Sequence, residues 1–463
     1  VPAPLNSSHP VDAPAGPGPE VTAGVEGGRG RGARIRRRAL GGAGTADRAS
    51  WSERVLYGAL LVLAVTGVVS PGEYNYNLLP AGSLLELALI GCAALLAVRL
   101  TAGAWPILVL GGLYVFVKTL TWFTYSSASV VDFVQAYKAY IYLVALAFFV
   151  GKKVFSARRL AHFTTVLVGV FLLKYSYSVV LGLAQRPGVY IENNFELILL
   201  MGLVYLAWPH LGERRNWLFL ALAATVLLSG SRSAALALLV VYVFLYVRTS
   251  NRTWPLHIAG VAAVGYAVFE VITSRLSQDG GLSSLDRLNF LQVYLDDVDS
   301  WPVWQFFTGS APLTPLSSGA CADLSYYAPL FSSTDPGICY SVILHSFVLR
   351  ALFDHGILGL VLLYALVWLG LRRSGVSVRD ALALLAPITA SAFSVSAFNS
   401  VFTAILLAIA MGLDRSGPPV ATSPRPERGR RRRWPVDKGE DRRRPGVSRR
   451  AAAVRRRVVR TVP

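Results

Sequence analysis

The sequence predicts an all-α polytopic membrane protein of about twelve transmembrane helices, with one large extracytoplasmic loop between the ninth and the tenth and disordered basic termini. Three observations lead there. Hydrophobic residues make up 54% of the chain, charged residues only 15%, and the mean hydropathy is +0.49, whereas a soluble domain exposes more charge. Apolar stretches long enough to cross a bilayer as helix, about 17 to 25 residues each, recur from Trp51 to Leu413. Among the polar interruptions only one is long, the segment 273–344.

Taken in order, residues 1–50 are rich in Pro, Gly and Ala and carry the run Arg34 to Arg38, so they cannot bury a core and are expected to be disordered. The first apolar stretch comes after residue 50 and many follow it, so no cleavable signal peptide is evident. Spans are expected near 55–69, 83–100, 104–120, 133–150, 160–183, 194–208, 214–229, 232–247, 254–272, 356–371, 380–397 and 399–413. Together 51–413 reads as one transmembrane bundle that includes the loop 273–344, and 414–463 as a disordered Arg-rich tail.

The formal charge of +19 and pI near 10.1 do not point to nucleic acid, because most Lys and Arg lie in the tails and short loops. With the amino terminus inside, the inner connections hold Arg99, Lys152, Lys153, Arg158, Arg159, Arg214, Arg215, Arg248, Arg252, Arg372, Arg373 and Arg379. The opposite connections hold only Arg186, Arg232, Arg275 and Arg287. This bias places both termini in the cytoplasm and the long loop outside a cytoplasmic membrane, with the basic tails against anionic lipid.

Cys92 sits inside a span as a packed thiol, while Cys321 and Cys339 share the outward loop, where a disulfide is permitted. Such a bond would stabilise the loop by about 3 kcal/mol in the chain-entropy model; two free thiols are the other reading. No His or Cys nearby completes a metal set, so no metal and no cofactor are expected.

Ionisable groups in hydrocarbon are costly, so their depth carries information. Lys118, Lys138 and Lys174 fall in the outer halves of their spans, Arg186 and Arg232 at outer ends, and Glu86, Glu192, Glu196, Glu270, Asn193 and Asn194 at a similar level. Two readings stand: a shared site for an anionic lipid headgroup, drawing on Lys174, Arg186 and Asn194, or lysines that snorkel or pair with Glu. Ser229-Gly230-Ser231-Arg232-Ser233-Ala234 is a tight outward turn with one cation at its tip.

Within the loop, Ser283-Ser284-Leu285-Asp286 reads as a capped helix start. Leu288, Leu291, Leu295 and Val298 recur at helical spacing as the apolar face, and Arg287 falls in the first turn as a phosphate ligand or an ion-pair partner of Asp286 or Asp297. Asp296, Asp297 and Asp299 read as a solvated helix end. From His345 to Leu360 the chain suits a helix, begun by His345 and ended by a left-handed Gly356, with Gly359 permitting close approach. Imidazole moves protons near neutral pH, although a lone His at a helix start is also a common structural element.

The turn Ser231-Arg232-Ser233-Ala234, Arg287 opening a loop helix, and His345 followed by Gly356 and Gly359, in that order and topology, resemble the O-antigen ligase and O-antigen polymerase superfamily of bacterial membrane glycosyltransferases. The resemblance covers roughly 193–371. It implies transfer of a glycan from a polyprenyl diphosphate to an acceptor hydroxyl at the outer membrane face, without a metal. By the same resemblance Arg232 and Arg287 bind the donor diphosphate, His345 serves the acceptor as base or orienting group, and other polysaccharide assembly proteins are partners. Ser346 departs from the Asn that ligases commonly carry after the His, and Asp354 matches an acidic residue often found two places before the first Gly. Ligase, polymerase and protein O-oligosaccharide transferase stay open. A flippase or transporter binding the same headgroup without chemistry is the reading from another class.

Overall fold

A computed structural model describes residues 50–70, 77–184, 186–247, 252–263, 265–266, 286–335 and 337–416. The basic tails 1–49 and 417–463, the start of the long loop with its expected cap Ser283, and the side chains of Asp286 and Arg287 lie outside the described residues.

The described chain is mostly helical. The helices are α1 (Trp51–Val69), α2 (Ala81–Ala97), α3 (Trp105–Tyr125), α4 (Val130–Ala147), α5 (Ala157–Val180), α6 (Asn193–Ala207), α7 (Arg215–Leu228) and α8 (Arg232–Tyr246), then α9 (Asp286–Val298), α10 (Val303–Thr308) and α11 (Ser318–Asp323), and finally α12 (Phe347–Arg373), α13 (Val378–Ala392) and α14 (Val401–Gly412). Serine hydroxyls open several of them by accepting a first-turn N–H: Ser50 from Glu53, Ser129 from Asp132, Ser231 from Ala234, Ser346 from Leu349 and Ser377 from Asp380.

Five helices, α1, α3, α4, α5 and α12, are long and apolar enough to cross a membrane. Shorter helices of 12 to 17 residues stand at the other expected span positions, and of 254–272 the described residues 254–263 and 265–266 are helical. The centre is formed by α6 and α14, nearly all of whose residues are buried. They approach so closely that a Cβ on Gly202 would lie 2.2 Å from Leu406 Cδ2, which is why glycine occupies that position. By contrast α3 is apolar and largely exposed, with Val109, Leu113, Phe116, Leu120 and Phe123 uncovered.

One end of the bundle is closed by a two-residue parallel pairing of β1 (Phe155–Ser156) with β2 (Leu413–Asp414). Beside it, buried Glu53 of α1 accepts Ser156 N at 3.0 Å and pairs with Arg159 of α5 at 2.7 Å. The other end carries the folded segment 286–344. Phe290, Val293, Tyr294, Val298, Leu316, Ala320 and Leu324 form its own apolar core, against Phe353 of α12. Cys321 and Cys339 are joined there by a disulfide, with their Cα atoms 5.6 Å apart.

Two local expectations need correction. The buried face of α9 is Phe290, Val293, Tyr294 and Val298, while Leu288, Leu291 and Leu295 are exposed. Both stripes have helical spacing, and the aromatic one buries more area against the segment core. The helix before the last spans starts at Phe347 with Ser346 as its cap, so His345 precedes it; Gly356, at φ 62 and ψ −176, breaks the helical path as expected, and a second helical stretch follows it directly within α12.

Candidate functional site

His345 joins the turn Ser341–Leu344 to α12 at φ 27 and ψ −29, a conformation that a residue with a Cβ adopts only when its surroundings impose it. The surroundings are two serines. Ser396 donates to the carbonyl of His345 at 3.2 Å, and Ser346 donates to the carbonyl of Ala392 at 3.3 Å, so the chain is fixed on both sides of the imidazole. The half-buried ring sits between Phe290, at 5.6 Å between centroids, and Tyr327 at 5.1 Å. Phe290 lies on α9 three residues beyond Arg287, which puts the backbone of Arg287 one helical turn from the His345 contact.

The Arg232 turn is equally fixed. Asn193 Nδ2 donates to the carbonyl of Ser229 at 3.0 Å, and Asn194 Oδ1 accepts from Ser233 Oγ at 3.1 Å and from Ser231 Oγ. Asn194 Nδ2 in turn donates to Glu192 Oε1 at 2.8 Å. Arg232 is left exposed at the first residue of α8, where unpaired helix N–H groups add positive potential, and it has no ion-pair partner among the described residues.

The two groups share one end of the bundle. At the far end Arg379, near the start of α13, donates to the Phe244 carbonyl near the end of α8 at 2.8 Å, so these packed helices run antiparallel. The start of α8, with Arg232, is therefore level with the end of α13, and it is Ala392 and Ser396 there that hold Ser346 and His345.

No protein-family model, curated protein or solved structure matches this chain. The residues themselves carry the functional reading.

Lys174 is buried, donates to the Ser70 carbonyl and lies 5.1 Å from the Tyr177 ring centroid, so its charge is already engaged inside the bundle. Arg186 is exposed on the connection after α5. That connection is held by buried Glu196, which accepts Val189 N at 2.8 Å, Tyr190 N at 2.7 Å and Tyr175 Oη at 2.7 Å. Lys138 pairs with Glu86 at 2.8 Å, the pairing reading of the outer lysines. Asp297 accepts Ser317 N at 2.8 Å and Asp296 accepts Gln292 Nε2 at 2.9 Å, so both serve the segment's own fold.

A buried polar network on α12 goes beyond the sequence reading, which took Asp354 only as a match to an acidic residue of the resembled family. Asp354 accepts from Ser341 Oγ at 2.5 Å and lies 3.9 Å from Arg350, whose guanidinium also donates to the Gln135 carbonyl of α4. Lys118 of α3 donates to the Asp354 carbonyl at 3.0 Å. His355 Nδ1 is 2.8 Å from Tyr114 Oη, and the rings of Tyr137 and Tyr140 lie 4.9 and 4.3 Å from the imidazole. Nearby, Ala139 N donates to Asn399 Oδ1 at 3.0 Å. Gln135 carbonyl and Ala139 N are the pair that closes one helical turn, and both take a side chain from another element. The available signal was an Arg, an Asp and a His within six residues of an apolar helix, since charge at that depth demands partners.

Proposed function

We propose that the chain is a membrane glycosyltransferase. It transfers or polymerises glycan from a polyprenyl-diphosphate-linked donor onto an acceptor hydroxyl at the outer face of the cytoplasmic membrane, in cell-surface or extracellular polysaccharide assembly. In this reading the bundle has about twelve spans, both termini are cytoplasmic, and the segment 286–344 faces outward. The observation that carries it is the placing of exposed Arg232, the first turn of α9 with Arg287, and half-buried His345 at one end of the bundle. It adds a physical arrangement to the resemblance drawn from the motifs.

Chemically, the acceptor oxygen attacks the anomeric carbon, the bond from that carbon to the diphosphate oxygen breaks, and the hydroxyl proton leaves. His345 takes or orients that proton. Arg232 and Arg287 stabilise the charge gathering on the departing diphosphate, where guanidinium forks match phosphate oxygens. Asn194 positions the Arg232 turn through its serine hydrogen bonds.

The test uses purified protein with a defined lipid-linked glycan, and cells expressing His345→Ala, Arg287→Ala or Arg232→Ala. Each variant is expected to insert normally and to lose long glycan, leaving single units on the carrier outside. Full product length in a variant removes that residue from the site, and single units trapped inside would identify a flippase.

A further inference from the structure

Between Asp299 and Asp323 the chain holds no Asp, Glu, Lys, Arg or His, although it belongs to the polar segment. After Trp301 and Pro302, its first part, Val-Trp-Gln-Phe-Phe-Thr, forms α10, on which Val303 is 76% exposed, Trp304 63% and Phe307 46%. An apolar surface this bare in water would be costly, so the depth of α10 decides what covers it.

The depth follows from three contacts. Phe307 carbonyl stands where a Cβ on Gly356 would be, 2.3 Å from it; Gly309, at φ 76, approaches the backbone of His355 and Gly356 in the same way; and Ser310 N donates to the Phe353 carbonyl at 2.7 Å. So α10 packs on residues 353–356 of α12. Those residues touch the middle of two long apolar helices: His355 meets Tyr114 of α3 and Tyr137 and Tyr140 of α4. Tyr114 lies about 16 Å along α3 from its Tyr125 end, and Tyr140 about 15 Å along α4 from its Val130 end, at 1.5 Å per residue. Half the hydrocarbon of a bilayer is about 15 Å. A six-residue helix spans only about 9 Å, so Val303 stays below the ends of α3 and α4 whichever way α10 points.

We infer that α10 is a re-entrant element of the bilayer, and that Val303, Trp304, Phe306 and Phe307 contact lipid acyl chains in the leaflet on the side of the 286–344 segment. Apolar α3, itself largely exposed, packs on the neighbouring stretch of α12, through Tyr114 and Lys118 at residues 354–359. Backbone polar groups at this depth must be satisfied by protein, and several of those of α10 are seen to be. Pro302 brings no N–H, Gln305 N donates to the Pro302 carbonyl at 2.9 Å, Gly309 N to the Gln305 carbonyl at 2.8 Å, and Ser310 N reaches α12. The inference does not depend on the reaction proposed above.

Nitroxide labels at Val303→Cys and Phe307→Cys, in a Cys92→Ala background in lipid nanodiscs, test it through collision with oxygen, which concentrates in lipid, and with a water-soluble nickel chelate. Phe116→Cys on α3 and Tyr326→Cys, 87% exposed in the same segment, are the lipid and water references. The expected result is an oxygen-to-nickel accessibility ratio several-fold above that of Tyr326→Cys and close to that of Phe116→Cys. A ratio like that of Tyr326→Cys places α10 in water and overturns the proposal. Low collision with both reagents means that protein covers α10, and overturns it as well.

Discussion

The two ends of the helix bundle use charge in opposite ways. At the β1–β2 end, Lys153, Arg158, Arg214, Arg215, Arg372 and Arg373 are exposed, and the ion pair of Lys153 with Asp414, at 3.7 Å, lies open to solvent. At the end carrying the folded segment, Asp132, Arg350 and Asp354 are buried, and each is tied to an element distant in sequence or to a loop group. Apart from the buried pairing of Glu53 with Arg159, the first arrangement is a sum of weak, replaceable terms. The second is a set of single connections, where loss of one partner strands another in a medium that cannot solvate it. A cation count therefore describes orientation at one end and says little about architecture at the other.

The sharpest way to break this comparison is Asp354→Ala. It leaves Arg350 without its carboxylate and Ser341 without its acceptor, and a stranded buried charge costs about 3–5 kcal/mol. Thermal unfolding in detergent should show the loss, and the double change Arg350→Met with Asp354→Leu should recover much of it. Equal stability of single and double variants would mean that the pair does not act as a unit. Next comes Cys321→Ser with Cys339→Ser, which frees the closed loop and should cost the segment about 3 kcal/mol in the chain-entropy model. Proteolysis confined to 286–344 would report it.

A smaller effect is expected at Asp132. Its carboxylate accepts Ser332 Oγ at 2.9 Å and Ser333 N at 3.1 Å, fastening the segment to the start of α4. Asp132→Ala should cost about 1.5–3 kcal/mol, the range for a hydrogen bond to a charged group. Hydrogen exchange should rise at 332–337 and not in α6 or α14. Uniform exchange across the bundle would show that this contact supports more than the segment.

Legibility differs between the regions in the same way. Apolar runs marked where helices stand, because chain length and hydropathy act locally. That Lys138 would snorkel or pair with a Glu could be read in advance, since several Glu lie at a similar depth, and the structure selects Glu86. The partner of Lys174 could not, because it is the backbone carbonyl of Ser70, which carries no residue-specific signal. The face of α9 failed for another reason: two apolar stripes compete on one helix, and the core that selects Phe290 and Tyr294 is built from residues up to Phe353. His345 was visible as a residue type, whereas its φ of 27 depends on Ser396 and Ala392, which come later in the chain. The roles of His345, Arg232 and Arg287 rest on the proposed reaction and its assay.

The smallest expected effect tests the other half of the comparison. Arg214→Ala with Arg215→Ala removes two exposed cations from the β1–β2 end, where Arg215 only approaches the Trp208 ring, at 5.9 Å. Exposed charges of this kind are screened and rarely matter singly, so the unfolding midpoint should move by no more than about 1 °C. Orientation should hold too, because Lys152, Lys153, Arg158, Arg372, Arg373 and Arg379 still bias the same end. Labelling of an introduced cysteine at Ser374 from either side of sealed vesicles measures that directly. A midpoint loss as large as that of Asp132→Ala would erase the distinction, since it would mean that the exposed fringe also consists of irreplaceable contacts.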